Sequence, residues 1–171
     1  MLVQRVRKTD KITKSAVLLA LALIFQVGFM PFAQPVVGPL VNMVLLVAVL
    51  TTGPVTACFI GCLTPVAAFS LGIMPIFPVV PVIMLGNLLY VLTFSLLKQK
   101  SLLAGVAGAA VVKTLAMAVT IRLLAKYLVP LLPMPIIAAL SMPQLYTALL
   151  GGAMALLVNR YLPKQMIHTN D

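Results

Sequence analysis

The sequence predicts an all-α integral membrane protein, six transmembrane helices closing into a single compact bundle. Three observations carry that expectation. Of the 171 residues, 63% are hydrophobic and only 8% charged, more apolar surface than a soluble domain of this length can hide. The apolar residues fall into six runs, about 15–31, 39–52, 54–72, 79–97, 101–128 and 141–162, divided by proline, glycine or charge. Basic residues gather at alternate ends of these runs: Arg5, Arg7, Lys8, Lys11 and Lys14, then Lys98 and Lys100, then Arg160 and Lys164. These make nine of the twelve Lys and Arg, and the connections after runs one and three carry none. The positive-inside rule then places both termini and the 98–100 turn in the cytoplasm, with residues 1–171 forming one membrane domain in the cell (plasma) membrane.

The formal charge of +10 invites a nucleic-acid reading, but the cations sit at the ends of apolar runs and not across a face, so no nucleic-acid partner is expected. Asp10 and Asp171 are the only acids, one in each terminal segment. No carboxylate is therefore available within the membrane to carry protons, ligate a metal or act as a catalytic base. No metal site, cofactor or enzymatic activity is expected.

Residues 1–14 form a basic amphipathic leader. It reads as retained, because a signal-peptide cleavage after Ala33 would put Pro31 at the −3 position, where a small residue is needed. The first run holds Ala16 and Ala20 four residues apart in AVLLA, on one face, where small side chains let another helix approach closely. A proline-bounded connection with Gln34 leads to the second run, which carries Asn42 near its outer end, and Thr51-Thr-Gly-Pro54 turns into the third. Cys58 and Cys62 on that run have helical i, i+4 spacing, but neither histidine nor carboxylate joins them, and buried inert thiols are expected. The Thr64-Pro65 step is expected to kink the helix. The fourth run places Gly86-Asn87 in its interior, where the amide can bond a neighbouring helix or face a ligand. A proline-rich stretch (129–139) precedes the sixth run, with Gln144, Tyr146, Thr147 and Gly151-Gly152. The lone histidine, His168, belongs to the tail and is expected to be solvated.

The fifth run, LLAGVAGAAVVKTLAMAVTIRLLAKYL, carries Lys113 near its middle with no acid close in sequence. At about 1.5 Å per residue it lies about 18 Å along the helix from residue 101, well inside a hydrocarbon core about 30 Å thick. A lysine there costs at least about 2.5–3.5 kcal/mol on insertion scales, so it should face a polar cavity or a partner. Snorkelling to an interface is the alternative, and it is hard from a helix centre. Met117 and Thr120 share its face at 100° per residue, whereas Arg122 falls on the opposite face and reads, with Lys126, as an interfacial anchor. The half before Lys113 is rich in Ala and Gly, which suits tight packing. Together these features point to a closed inner half and an outward-facing binding cavity.

In that order and spacing the residues resemble the substrate-binding S-component of energy-coupling factor (ECF) transporters. The resemblance rests on Ala16-x-x-x-Ala20, GPLVNMVLLVAVLTTGP (38–54), LTPVAAFSLGIMPIFP (63–78) with IMLGN (83–87), and VVKTL around Lys113, and it covers about 14–163. It implies a substrate-binding membrane subunit taking up a vitamin or similar micronutrient. ATP would be hydrolysed by two partner ATPase subunits acting through a transmembrane T-component, since no GxxxxGK[ST] loop is present. It further implies that Ala16 and Ala20 face the T-component. By position it implicates Gln34, Asn87, Lys113, Thr120, Gln144 and Thr147 in the substrate site. A stand-alone secondary carrier, or an integral membrane enzyme or assembly factor, remains the alternative. The missing membrane carboxylate speaks against proton coupling, and the absence of an internal repeat against most carrier folds. A lone lysine with neutral amides and hydroxyls suits a small, partly apolar ligand with an acceptor or anionic group.

Overall fold

The computed structural model describes residues 2–29, 33–74 and 76–163, and its regular structure is helical throughout. Six long helices and one short one follow in order: α1 (Leu2–Gly28), α2 (Ala33–Thr51), α3 (Pro54–Ser70), α4 (Val79–Leu97), α5 (Leu102–Tyr127), the short α6 (Met134–Ala139) and α7 (Pro143–Tyr161). The segments Thr9–Gly28, Val79–Leu97, Leu102–Tyr127 and Met134–Tyr161 are long and apolar enough to cross a membrane, and α2 and α3 supply two shorter apolar helices.

Two boundaries differ from the sequence expectation. The basic leader is not separate from the first helix, because α1 begins at Leu2. Within it, the Thr13 and Ser15 hydroxyls donate back to the Thr9 and Lys11 carbonyls at 3.0 and 2.6 Å, so these polar residues stay within helical geometry. Helix α2 begins at Ala33, six residues before the expected start. Pro35 falls in its first turn, where the missing N–H costs nothing, and Pro39 gives up a single intrahelical bond close to the helix start. Lys164 and His168 lie outside the described residues.

The turns follow from their residues. Gly53 takes φ +98° between α2 and α3, a left-handed conformation open to glycine, and Pro54 then starts α3. Ser101 caps α5, its Oγ accepting from the Ala104 N–H at 3.5 Å.

Helices α2, α3, α4, α5 and α7 pack in a closed ring, each against the next, and α1 lies outside it against α2 and α3. Helix α2 is the buried member: every residue from Val44 to Leu50 is at most 9% exposed, as its unbroken apolar sequence requires. The Gly151-Gly152 pair lets α7 approach two neighbours at once. A Cβ on Gly151 would lie 2.5 Å from the Pro39 carbonyl oxygen and 2.6 Å from Asn42 Cβ, and one on Gly152 would collide with Val106 of α5. Gly105 and Gly108 bring α5 onto α4, at Phe94 and Leu97; Ala109 and Ala110 are buried, whereas Ala104 and Ala107 face outward.

The core divides into two apolar clusters. One fills the half of the bundle that holds the α2–α3 and α4–α5 turns, around Leu45, Leu46, Tyr90, Phe94, Val106 and Ala148. The other fills the opposite half, around Val79, Met117, Ile121, Leu124 and the 129–140 connection. Lys113 lies between them along α5.

Gly151→Val should lower the melting temperature sharply, because the new side chain meets a backbone carbonyl that cannot move aside. Overpacking of this kind costs about 1–3 kcal/mol. Gly28→Val, which meets nothing within 4 Å, should leave the melt of the detergent-solubilised protein close to wild type.

Candidate functional site

The site begins at a proline. Pro65 inside α3 has no N–H, so it cannot bond the Gly61 carbonyl one turn earlier. That carbonyl instead accepts from Asn87 Nδ2 of α4 at 2.8 Å. Gly61 also lets α4 come close, since a Cβ there would lie 3.1 Å from Asn87 Cβ. With its nitrogen committed to Gly61, the Asn87 amide turns its oxygen into the bundle, where it accepts from Lys113 Nζ at 2.8 Å. Asn42 of α2 supplies a second amide oxygen at 2.6 Å. Tyr90 lies beneath, its ring centroid 5.1 Å from the ammonium in cation–π geometry, and its hydroxyl donates to the Ala148 carbonyl of α7 at 2.7 Å.

Lys113, Asn42 and Asn87 are at most 3% exposed, and they tie α2, α4 and α5 together at the middle of the ring. The partners of the ammonium are two neutral oxygens and a ring face. An ammonium has three N–H donors, and the third finds no acceptor among the described residues.

Lys113, Asn42 and Asn87 line a cavity of about 70 Å³ together with Gln26, Gly38, Thr64, Met117 and Gln144. It lies in the half of the bundle that holds the end of α1, the start of α2, the end of α3, the start of α4 and the start of α7. The Lys98–Lys100 turn and Arg160 lie in the other half. Gly86 makes room for Met117, whose Cγ and Sδ a Cβ at that position would meet at 2.5 Å. Two lining atoms are buried without a hydrogen-bond partner among the described residues, Thr64 Oγ1 and Gln26 Oε1. Buried polar atoms are nearly always paired, and both of these residues line the cavity.

Of the residues singled out from sequence, the structure brings Lys113, Asn87 and Gln144 to this cavity. Gln144 also donates through Nε2 to the Ala139 carbonyl at 3.1 Å. Thr147 is buried one turn along α7, its hydroxyl donating to the Gln144 carbonyl at 3.1 Å and its methyl close to Gly38. Thr120 is half-buried on α5 and does not line the cavity. The side chain of Gln34 lies outside the described residues. Gln26, Asn42 and Thr64 were not read as site residues from sequence. Each is a polar residue in the half of an apolar run away from the Lys98–Lys100 turn, and matching depth across runs would have grouped them.

Ala16 and Ala20 are both exposed on α1. Arg122 is exposed and donates to its own helix at Ala118, and Lys126 lies over the Tyr127 ring. Cys58 and Cys62 are free and half-buried, lining an apolar groove between α3 and α4 with Leu88 and Leu92, a more open setting than expected. Among the described residues no group of three or more His, Cys, Asp or Glu could hold a metal ion.

Asn87→Leu should destabilise the protein, because it strips the Gly61 carbonyl of its donor and the ammonium of an acceptor. Each orphaned group costs about 1–3 kcal/mol, more where it is charged. Thermal melts in detergent check this. Asn87→Gln, which keeps both amide functions on a longer stem, should fall between Leu and wild type.

Comparison with known proteins returns no match among curated proteins and none among solved structures. A family model described as "ECF transporter, substrate-specific component" matches residues 10–160, nearly the whole chain and every helix of the ring. Members of this family are substrate-binding components of transporters. The chain belongs to the family of substrate-specific components of ECF transporters, as its resemblance in sequence implied.

Proposed function

We propose that this chain captures a vitamin-like micronutrient at the outer face of the plasma membrane and delivers it through a T-component energised by two ATPase subunits. The observation that carries the reading is the polar cavity centred on Lys113, built into a bundle that is otherwise apolar. In this reading all six long helices span the bilayer. The 17 residues of α3 extend about 26 Å, short but within the range of spanning helices, and α2 is packed inside the bundle. The positive-inside pattern turns the Lys98–Lys100 turn and both termini to the cytoplasm, which leaves the cavity in the outer half.

Helix α1 supports the partner assignment. It lies outside the ring, and only 6% of its apolar window is buried. Ala16 borders an apolar groove between α1 and α3 with Leu19, Phe59 and Leu63. Small residues on an open face admit a second helix at close range. Small pockets for whole drug-sized ligands run to about 300–1,000 Å³, so a vitamin-sized solute entering the cavity must part the methionine- and isoleucine-rich outer cluster.

Two experiments test the assignment. With Ala16→Trp and Ala20→Trp combined, ligand retention by the isolated protein should stay near wild type while uptake in cells collapses and the T-component no longer co-purifies. Normal uptake with both tryptophans in place contradicts the interface. For topology, in a background lacking Cys58 and Cys62, a membrane-impermeant thiol reagent should label Phe77→Cys and Leu131→Cys in intact cells but not Gln99→Cys. Labelling of Gln99→Cys reverses the orientation.

A further inference from the structure

The whole chain contains no acid between Asp10 and Asp171. Among the described residues no carboxylate pairs with the Lys113 ammonium, although Lys113 is only 3% exposed. A buried charge left without an opposite charge is expensive. Asn42 and Asn87 hydrogen-bond the ammonium without neutralising it, and its third donor finds no acceptor among the described residues. Thr64, 1% exposed, lines the same cavity, and its hydroxyl has no hydrogen-bond partner among the described residues. Gln26 also lines it and brings an amide oxygen with no donor among the described residues.

We infer that the solute is a monocarboxylate: its carboxylate pairs with Lys113 Nζ and accepts from the Thr64 hydroxyl, while Gln26 Oε1 accepts from an N–H or O–H elsewhere on the molecule. This rests on the reading of the cavity as the substrate site. The charge balance sets the class. One cation and no acid match a single negative charge, whereas a phosphate dianion would bring an uncompensated charge into the bundle. A cationic solute would face the ammonium with nothing to screen it. The asparagines serve as a pedestal, positioning the ammonium without competing for the anion, since an amide oxygen carries no net charge. An aspartate in either place would hold the lysine as well and would occupy its charge.

The test uses the full-length protein in detergent with four matched probes: pantothenate and pantothenol, lipoate and lipoamide, biotin and biotin amide, nicotinate and nicotinamide. At least one acid should raise the melting temperature while its neutral partner does so far less. Titration should then show about a tenfold or greater preference for that acid, the scale of one charge-assisted hydrogen bond. Asn42→Asp should keep the fold and remove the preference, because the new carboxylate takes the ammonium. Thr64→Val should weaken the acid about five- to tenfold, and Thr64→Ser should restore it to within about twofold, since only the serine keeps the hydroxyl. If Thr64→Val does not fold, Asn42→Asp and the matched probes on wild type still decide. No shift from any acid, an equal shift from its neutral partner, or an undiminished preference in Asn42→Asp overturns the carboxylate assignment. The transporter reading is tested separately, by whether the tagged wild-type chain brings down a T-component and two ATPases from its host's membranes. Loss of that association would sink the transporter reading and leave an acid preference standing.

Discussion

A single ammonium in the middle of an apolar bundle sets the conditions that the rest of the structure meets. Lys113 is held by two neutral amides and a tyrosine ring, in a chain with no acid between Asp10 and Asp171. Burying that charge is unfavourable by several kcal/mol after relaxation, so its neighbours must be placed accurately and from different helices. The placement runs back through Asn87 to a carbonyl that Pro65 leaves free. A proline that weakens α3 locally thereby provides the acceptor that orients the amide. Helix weakness and site geometry have the same origin.

The small residues follow from the same demand. Lysine reaches from α5 to α2 and α4 only if the ring is narrow, and the ring is narrow because glycine or alanine stands at its contacts. Gly61 admits Asn87, Gly151 admits Pro39 and Asn42, and Gly152 admits Val106. The half that holds the α4–α5 turn is packed with aliphatic and aromatic side chains around Tyr90 and Phe94. The opposite half carries Met74, Met117 and several isoleucines beside the proline-rich 129–140 connection. Methionine adapts its shape more readily than branched residues do. One tight half and one more adaptable half suit a subunit that admits a solute from one side.

Much of this was legible in the sequence, and what was not has a physical reason. Hydropathy located the helices because a bilayer-sized apolar run has few other uses. Lys113 stood out because a mid-helix charge without a nearby acid demands an explanation. Periodicity gave the direction of a side chain but not its neighbour: Thr120 shares the face of Lys113, yet seven residues carry it about 10 Å further along α5. Thr64 was hidden behind the proline that follows it, since Thr-Pro reads first as a kink. Gln26 stood at the end of a run, where a polar residue reads as an interfacial boundary. Pro35 read as connection and proves to be helix, because a proline near a helix start disturbs little. The link from Pro65 to Asn87 depends on two helices 26 positions apart in sequence at the bond, and no local pattern announces it.

The most direct measurement is affinity and melting temperature on one sample of Lys113→Met, using whichever carboxylic acid stabilises the wild-type protein most. Methionine keeps much of the volume and deletes the charge with its three donors. The account predicts an affinity loss of about ten- to 150-fold, the equivalent of about 1.5–3 kcal/mol, in protein that still unfolds cooperatively. Unchanged affinity, with only the melting temperature lowered, would make Lys113 a structural cross-link and contradict its place in the site.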